Sequence, residues 1–113
     1  GDQDSTFEGI RDALSNMYFS SERGYVAHGS DIGGFRTDMD AYPGLGRPKD
    51  AFIRWAQLGA FSPIMENGGG GEHRPWMFDS ETEEIYRDLV ILNLRMDRTK
   101  IFYNGTYYDG LVY

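Results

Sequence analysis

Two short apolar runs, Tyr25-Val26-Ala27 and "SPIM" at 62–65, most constrain what this chain can fold into. Each follows a segment with helical periodicity and each runs directly into a glycine-rich loop. The first helical segment, over about residues 6–20, carries Phe7, Ile10, Leu14, Met17 and Tyr18 on one stripe. Ser5 and Glu8 form a capping box in front of it. The second opens with Pro48 at a first helical position, and "KDAFIRWAQLGAF" has the composition of a mostly buried helix. The third follows a second capping box, Ser80 to Glu83, and carries Ile85, Leu89, Leu92 and Met96. Short buried strands alternating with helices of this length predict an α/β fold with a parallel sheet. A parallel sheet needs neighbouring strands and helices on its faces. Two strands do not supply these, so the chain reads as part of a longer one.

The last segment, "DRTKIFYNGTYYDGLVY", changes character. Ile101–Tyr103 and Thr106–Tyr108 are β-prone and Asn104-Gly105 between them is a hairpin signal. Residues 1–96 and 97–113 are therefore treated as an α/β portion and a β-prone tail. Bulk properties exclude several partners. A net charge of −7 over 113 residues, with both signs interspersed, argues against a nucleic-acid partner. No apolar run approaches the roughly 20 residues that span a bilayer. With no cysteine there is no disulfide or thiolate site. His28 and His73 lack ligand spacing, so neither a metal nor another cofactor is expected.

In parallel α/β architectures, chemistry sits in the loops at the carboxyl ends of the strands. Three such loops begin with a carboxylate: Asp2 at the chain start, Asp31 after the first strand, and Glu66 after the second. An acidic loop residue is most often a turn former or cap, as Asp4 is expected to be. Asp31 is harder to dismiss, because Gly29, Gly33 and Gly34 clear space around it and Phe35 supplies an aromatic wall. Carboxylates gripping hydroxyls beside aromatic faces suit a carbohydrate. Trp76, in a loop after Pro75, is a second candidate platform, whereas Trp55 lies mid-helix and is expected in the core. The four glycines at 68–71 lack the Lys-Ser/Thr of a phosphate loop and read as a flexible loop. No G-x-S-x-G elbow is present.

"GDQ" at 1–3, "GSDIGGF" at 29–35, "IRWAQLGAFSPIM" at 53–65 and "RPWMF" at 74–78 together resemble glycoside hydrolase family 31, the α-glucosidase and α-xylosidase group. The resemblance covers about residues 1–96. It implies a partial (β/α)8 TIM barrel, about strands seven and eight with flanking helices. It also implies a retaining α-glycosidase whose partners are a carbohydrate substrate and the remainder of the barrel. By the same likeness Asp2 is the general acid/base, and Asp31 binds substrate hydroxyls with Phe35 in the wall of the site. The family's nucleophile, at the end of strand four, falls outside these residues. Gly68 stands where many members carry a histidine, and Glu66 and "GGGGEH" also depart from the usual pattern, which leaves the sugar open among α-glucosides, α-xylosides and α-galactosides. The tail does not match the family's usual continuation. Two other readings stand beside this one: a small module that binds a glycan through Asp31, Phe35 and Trp76 without catalysis, and a decayed piece without activity.

Overall fold

The computed structural model describes residues 2–95, together with the backbone of 100–103 and 106–109. Helix α1 spans Phe7–Glu22, strand β1 Gly29–Asp31, helix α2 Lys49–Ala60, strand β2 Ile64–Glu66 and helix α3 Ser80–Arg95. A single 3-10 turn, Pro75–Met77, precedes α3. β1 and β2 pair in parallel, with Gly29 opposite Ile64, Ser30 opposite Met65 and Asp31 opposite Glu66. The alternation read from the sequence is therefore present, with two parallel strands joined through a helix. In the tail, β3 (Lys100–Tyr103) and β4 (Thr106–Asp109) pair antiparallel, as the hairpin signal predicts. The expected Asn104-Gly105 turn and Met96 lie outside the described residues.

The core forms on the inner face of α2. Phe52, Trp55 and Ala56 are buried there at i, i+3, i+4 spacing and meet Ala13 of α1 and Ile32 after β1. Phe52 stacks on Phe78 at 4.6 Å and on Tyr86 of α3 at 5.6 Å between ring centroids. Trp55 is fully buried, as expected, and its indole N–H donates to Ser30 Oγ at 3.0 Å. That bond satisfies the one polar atom the ring carries into the core and ties α2 to the middle of β1.

Three local expectations are corrected. Tyr25 and Val26 are 67 % and 46 % exposed, and the strand begins four residues later, at Gly29. Gly29 is where the chain can approach β2: a Cβ there would lie 2.3 Å from Ile64 O. Secondly, α1 is seated on only part of its apolar stripe, with Ile10 half-buried against the core and Met17 half-buried. Phe7, Leu14 and Tyr18 are exposed, and the buried positions are Gly9 and Ala13. A Cβ on Gly9 would stand 2.0 Å from Asp4 O and 3.0 Å from the Trp55 ring, so only glycine allows this approach. Thirdly, the helix caps shift by a residue. Thr6, not Ser5, caps α1 by accepting from Gly9 N, while Ser5 is buried and donates to Arg36 O. Asp79 performs the capping expected of Ser80, accepting from Thr82 N at 2.8 Å. Pro48 likewise stands one residue before α2 rather than within it.

Asn93 closes the far end of the core. It is buried on α3 and its amide donates to Gly59 O, Ala60 O and Ser62 O, where α2 ends. The last carbonyls of a helix have no partner within it, so this side chain supplies one from a neighbouring element. Asn93→Ala is expected to destabilise the fold by about 2 kcal/mol, because buried carbonyls lose their donor. Urea unfolding followed by Trp55 fluorescence measures it, and an unchanged midpoint would refute the role.

Candidate active site

The parallel register sets the site. Because Asp31 pairs with Glu66, the two carboxylates end neighbouring strands at the same level. The segment 2–4 comes alongside: Gln3 O accepts from the backbone N–H groups of Phe35 and Arg36, and Asp4 bridges to Arg36. Asp4, expected as a turn former or cap, instead makes an exposed ion pair to Arg36 at 3.3 Å, while Thr6 caps α1. The result is a cleft of about 320 Å³ between α1 and β1, whose lining includes Asp2, Gln3, Asn16, His28, Asp31 and Glu66. Its volume is at the lower end of the range for small-molecule sites. A more apolar hollow of about 560 Å³, bordered by Tyr42, Leu45 and Ile53, shares no lining residue with it.

The structure therefore brings Asp2, Asp31 and Glu66 to one cleft. Phe35 and Trp76 are not in its lining; they are 40 % and 56 % exposed, on the loop after β1 and in the 3-10 turn. Among the described residues, no three His, Cys, Asp or Glu side chains converge as a metal ion would require. No described helix is long and apolar enough to cross a membrane.

The glycine loop, expected to be flexible, is packed in place. Gly69 has φ +80, and a Cβ on it would lie 2.4 Å from Phe35 O, so only glycine fits there. What pins the loop is Arg47, fully buried, which sequence reasoning passed over as part of an irregular segment. Its Nη1 donates to Glu72 O at 2.8 Å and to His73 Nδ1 at 3.0 Å, and its Nη2 donates to Gly34 O and Gly70 O. A guanidinium only donates, so His73 Nδ1 accepts and the ring proton sits on Nε2, facing Gly69 O at 2.9 Å. Burial pushes the Arg47 pKa below its ordinary value, while the charges of Glu72 and Asp31 pull it back up. On the other side, Asn67 accepts from Tyr86 OH and donates to His73 O. Burial raises the Tyr86 pKa, with the bond to Asn67 acting the opposite way. Nothing in the local pattern announces these partners, since the groups Arg47 holds lie 13 to 26 residues away and Asn67 and Tyr86 are 19 apart.

Carboxylates gathered where parallel strands end, on a scaffold of alternating helices and strands, are the arrangement of an α/β enzyme domain. The model of the glycosyl hydrolases family 31 TIM-barrel domain matches residues 1–104, and the chain belongs to that family of glycoside hydrolases. It is similar to an alpha-xylosidase of Emericella nidulans, 32 % identical over 92 residues, covering 80 % of this chain and 11 % of that protein. It is also similar to a sulfoquinovosidase of Escherichia coli, 32 % identical over 91 residues, covering 75 % of this chain and 12 % of that protein. A probable glucan 1,3-alpha-glucosidase of Oryza sativa subsp. japonica is 26 % identical over 96 residues, covering 80 % of this chain. The match spans 9 % of the length of that last relative. No solved structure matches the chain significantly.

Beside the cleft, Glu72 provides a titration handle on the loop. Its carboxylate accepts from the Arg74 side chain and from the backbone of Arg74 and His73, which lowers its pKa from 4.5 to about 2. A lowered carboxylate pKa contributes stability that is fully present above the unfolded value and is lost as pH falls through the folded one. Between pH 4.5 and about 2 the fold is therefore expected to weaken progressively. Asp79, lowered to about 2 by its bonds to Lys49 and Thr82, acts in the same direction. Thermal midpoints measured across this range should show a shallower decline in Glu72→Gln, and an identical slope would count against the loop contribution.

Proposed function

We propose that the chain forms the C-terminal part of the catalytic barrel of a retaining α-glycosidase, about strands seven and eight, acting on O-glycosyl bonds of α-linked sugars. The observation that carries this reading is the presence of Asp2, Asp31 and Glu66 on one cleft in a member of a glycoside hydrolase family. Asp2, at the mouth between α1 and the strand ends, is the general acid/base. Asp31 grips substrate hydroxyls, and Glu66, one strand over, hydrogen-bonds the same sugar. Phe35 and Trp76 offer exposed aromatic faces to sugar units further from the scissile bond. The names of the relatives favour an α-xyloside or α-glucoside as the first substrates to try.

In retaining hydrolysis one carboxylate attacks the anomeric carbon while a second protonates the departing oxygen, and the second then activates the water that releases the sugar. The two stand about 5–5.5 Å apart. In this proposal the attacking carboxylate comes from barrel residues outside these 113, so the chain by itself has no turnover.

In the full-length protein carrying this chain, Asp2→Asn is expected to lower kcat on alkyl α-glycosides by about 10²–10⁴. The loss should shrink on aryl α-glycosides with acidic leaving groups, which depart without protonation. Equal loss on both substrate types would exclude Asp2 as the acid. Sugar binding without turnover in the full-length protein would instead favour a glycan-binding module.

A further inference from the structure

We propose that Arg47 is a positioning residue for Asp31, holding its carboxylate in place through the glycine loop; the proposal rests on Asp31 being a substrate-gripping group. The contact that matters is between Asp31 and Gly68. A Cβ built on Gly68 would lie 2.0 Å from Asp31 Oδ1, so the carboxylate rests directly against the loop backbone. Where the loop stands, and how firmly, decides which way the carboxylate faces.

Arg47 holds both sides of that contact. Gly34 N donates to Asp31 O at 2.9 Å, and Gly34 O in turn accepts from Arg47 Nη2 at 3.2 Å. The same Nη2 reaches Gly70 O, and Nη1 reaches Glu72 O and His73 Nδ1. His73 Nε2 returns to Gly69 O, next to Gly68. All four N–H groups on Nη1 and Nη2 are spent in this way, while buried Nε has no partner among the described residues. The guanidinium is therefore oriented by the two loops it joins. Its charge is also felt at Asp31, since the two attract. A lysine cannot replace it, because one ammonium presents its donors from a single point and lacks the planar fork.

Gly68 allows this to be separated from a purely structural role. It is not among the residues with positive φ, so alanine meets no backbone strain there and its methyl group displaces only the Asp31 carboxylate. The test uses the full-length protein carrying this chain, with Arg47→Lys, Gly68→Ala and Asp31→Asn. The first readout is the side-chain carboxyl carbon NMR signal of Asp31, identified by its disappearance in Asp31→Asn and independent of turnover. It is expected to move in both Arg47→Lys and Gly68→Ala, while the signal of exposed Asp12 on α1 stays. An unmoved Asp31 signal in folded Arg47→Lys overturns the proposal. Should that variant not fold, an unmoved signal in Gly68→Ala does so instead.

The second readout is KM on an aryl α-glycoside. Both substitutions should raise it about tenfold or more, as small misplacements of substrate-holding groups do. Neither should add to the effect of Asp31→Asn. An undiminished Arg47→Lys effect in the Asp31→Asn background overturns the proposal. A moved Asp31 signal in a protein without turnover supports the positioning role and removes the glycosidase reading alone.

Discussion

A single buried cation organises the loops above the strands. Arg47 is completely withdrawn from solvent, and desolvating a guanidinium is costly. The cost is offset by four hydrogen bonds to two loops that are separate in sequence, each strengthened by the charge of the donor. Of the three carbonyls it engages, Gly34 O is the buried one, so there the bond also satisfies a group withdrawn from water. Glycines accompany it because the side chain needs room: a Cβ on Gly33 would lie 2.8 Å from Arg47 Cδ, and one on Gly71 3.4 Å from Arg47 Nη2. The glycine run and the arginine are therefore one device, and the strand ends inherit their shape from it.

Below the loops, the same economy of space recurs. α1 touches the core through Gly9, Ala13 and half-buried Ile10, and Trp55 reaches Ser30 across the interface between α2 and β1. This small-residue seat leaves Phe7, Leu14 and Tyr18 outward. The apolar stripe of α1 therefore marks the face that the described residues bury only in part, through Ile10. At the other end, Asn93 replaces missing helical partners for α2 with a side chain from α3. Small side chains and long-range polar caps act beside the stacked rings of Phe52, Phe78 and Tyr86 in setting how α1, α2 and α3 stand.

Much of this was legible in the residues. Helical spacing and capping signals located α1 and α3 to within a few positions, and Pro48 with the apolar composition of the following run located α2. Trp55 was recognisable as core from its place mid-helix. Asp2, Asp31 and Glu66, which line one cleft, stood out as carboxylates at the chain start and after the two predicted strands. Strand β1 was misplaced because Tyr25 and Val26 have strong β character, whereas pairing is decided by where glycine lets two backbones meet. Arg47 was illegible, since nothing in "LGRPKD" says that its partners stand 13 to 26 residues away.

The sequence by itself determined the alternation of helix and strand, the family, and which residue types end each strand. Those follow from local periodicity, from turn chemistry and from motifs that stay contiguous along the chain. Only the tertiary structure decided that Asp31 and Glu66 stand level, that the glycine loop is packed, and that Arg47 joins it to the turn beyond Asp31. These depend on the register between two strands and on hydrogen bonds between distant loops. Such interactions have no periodicity of their own to be read.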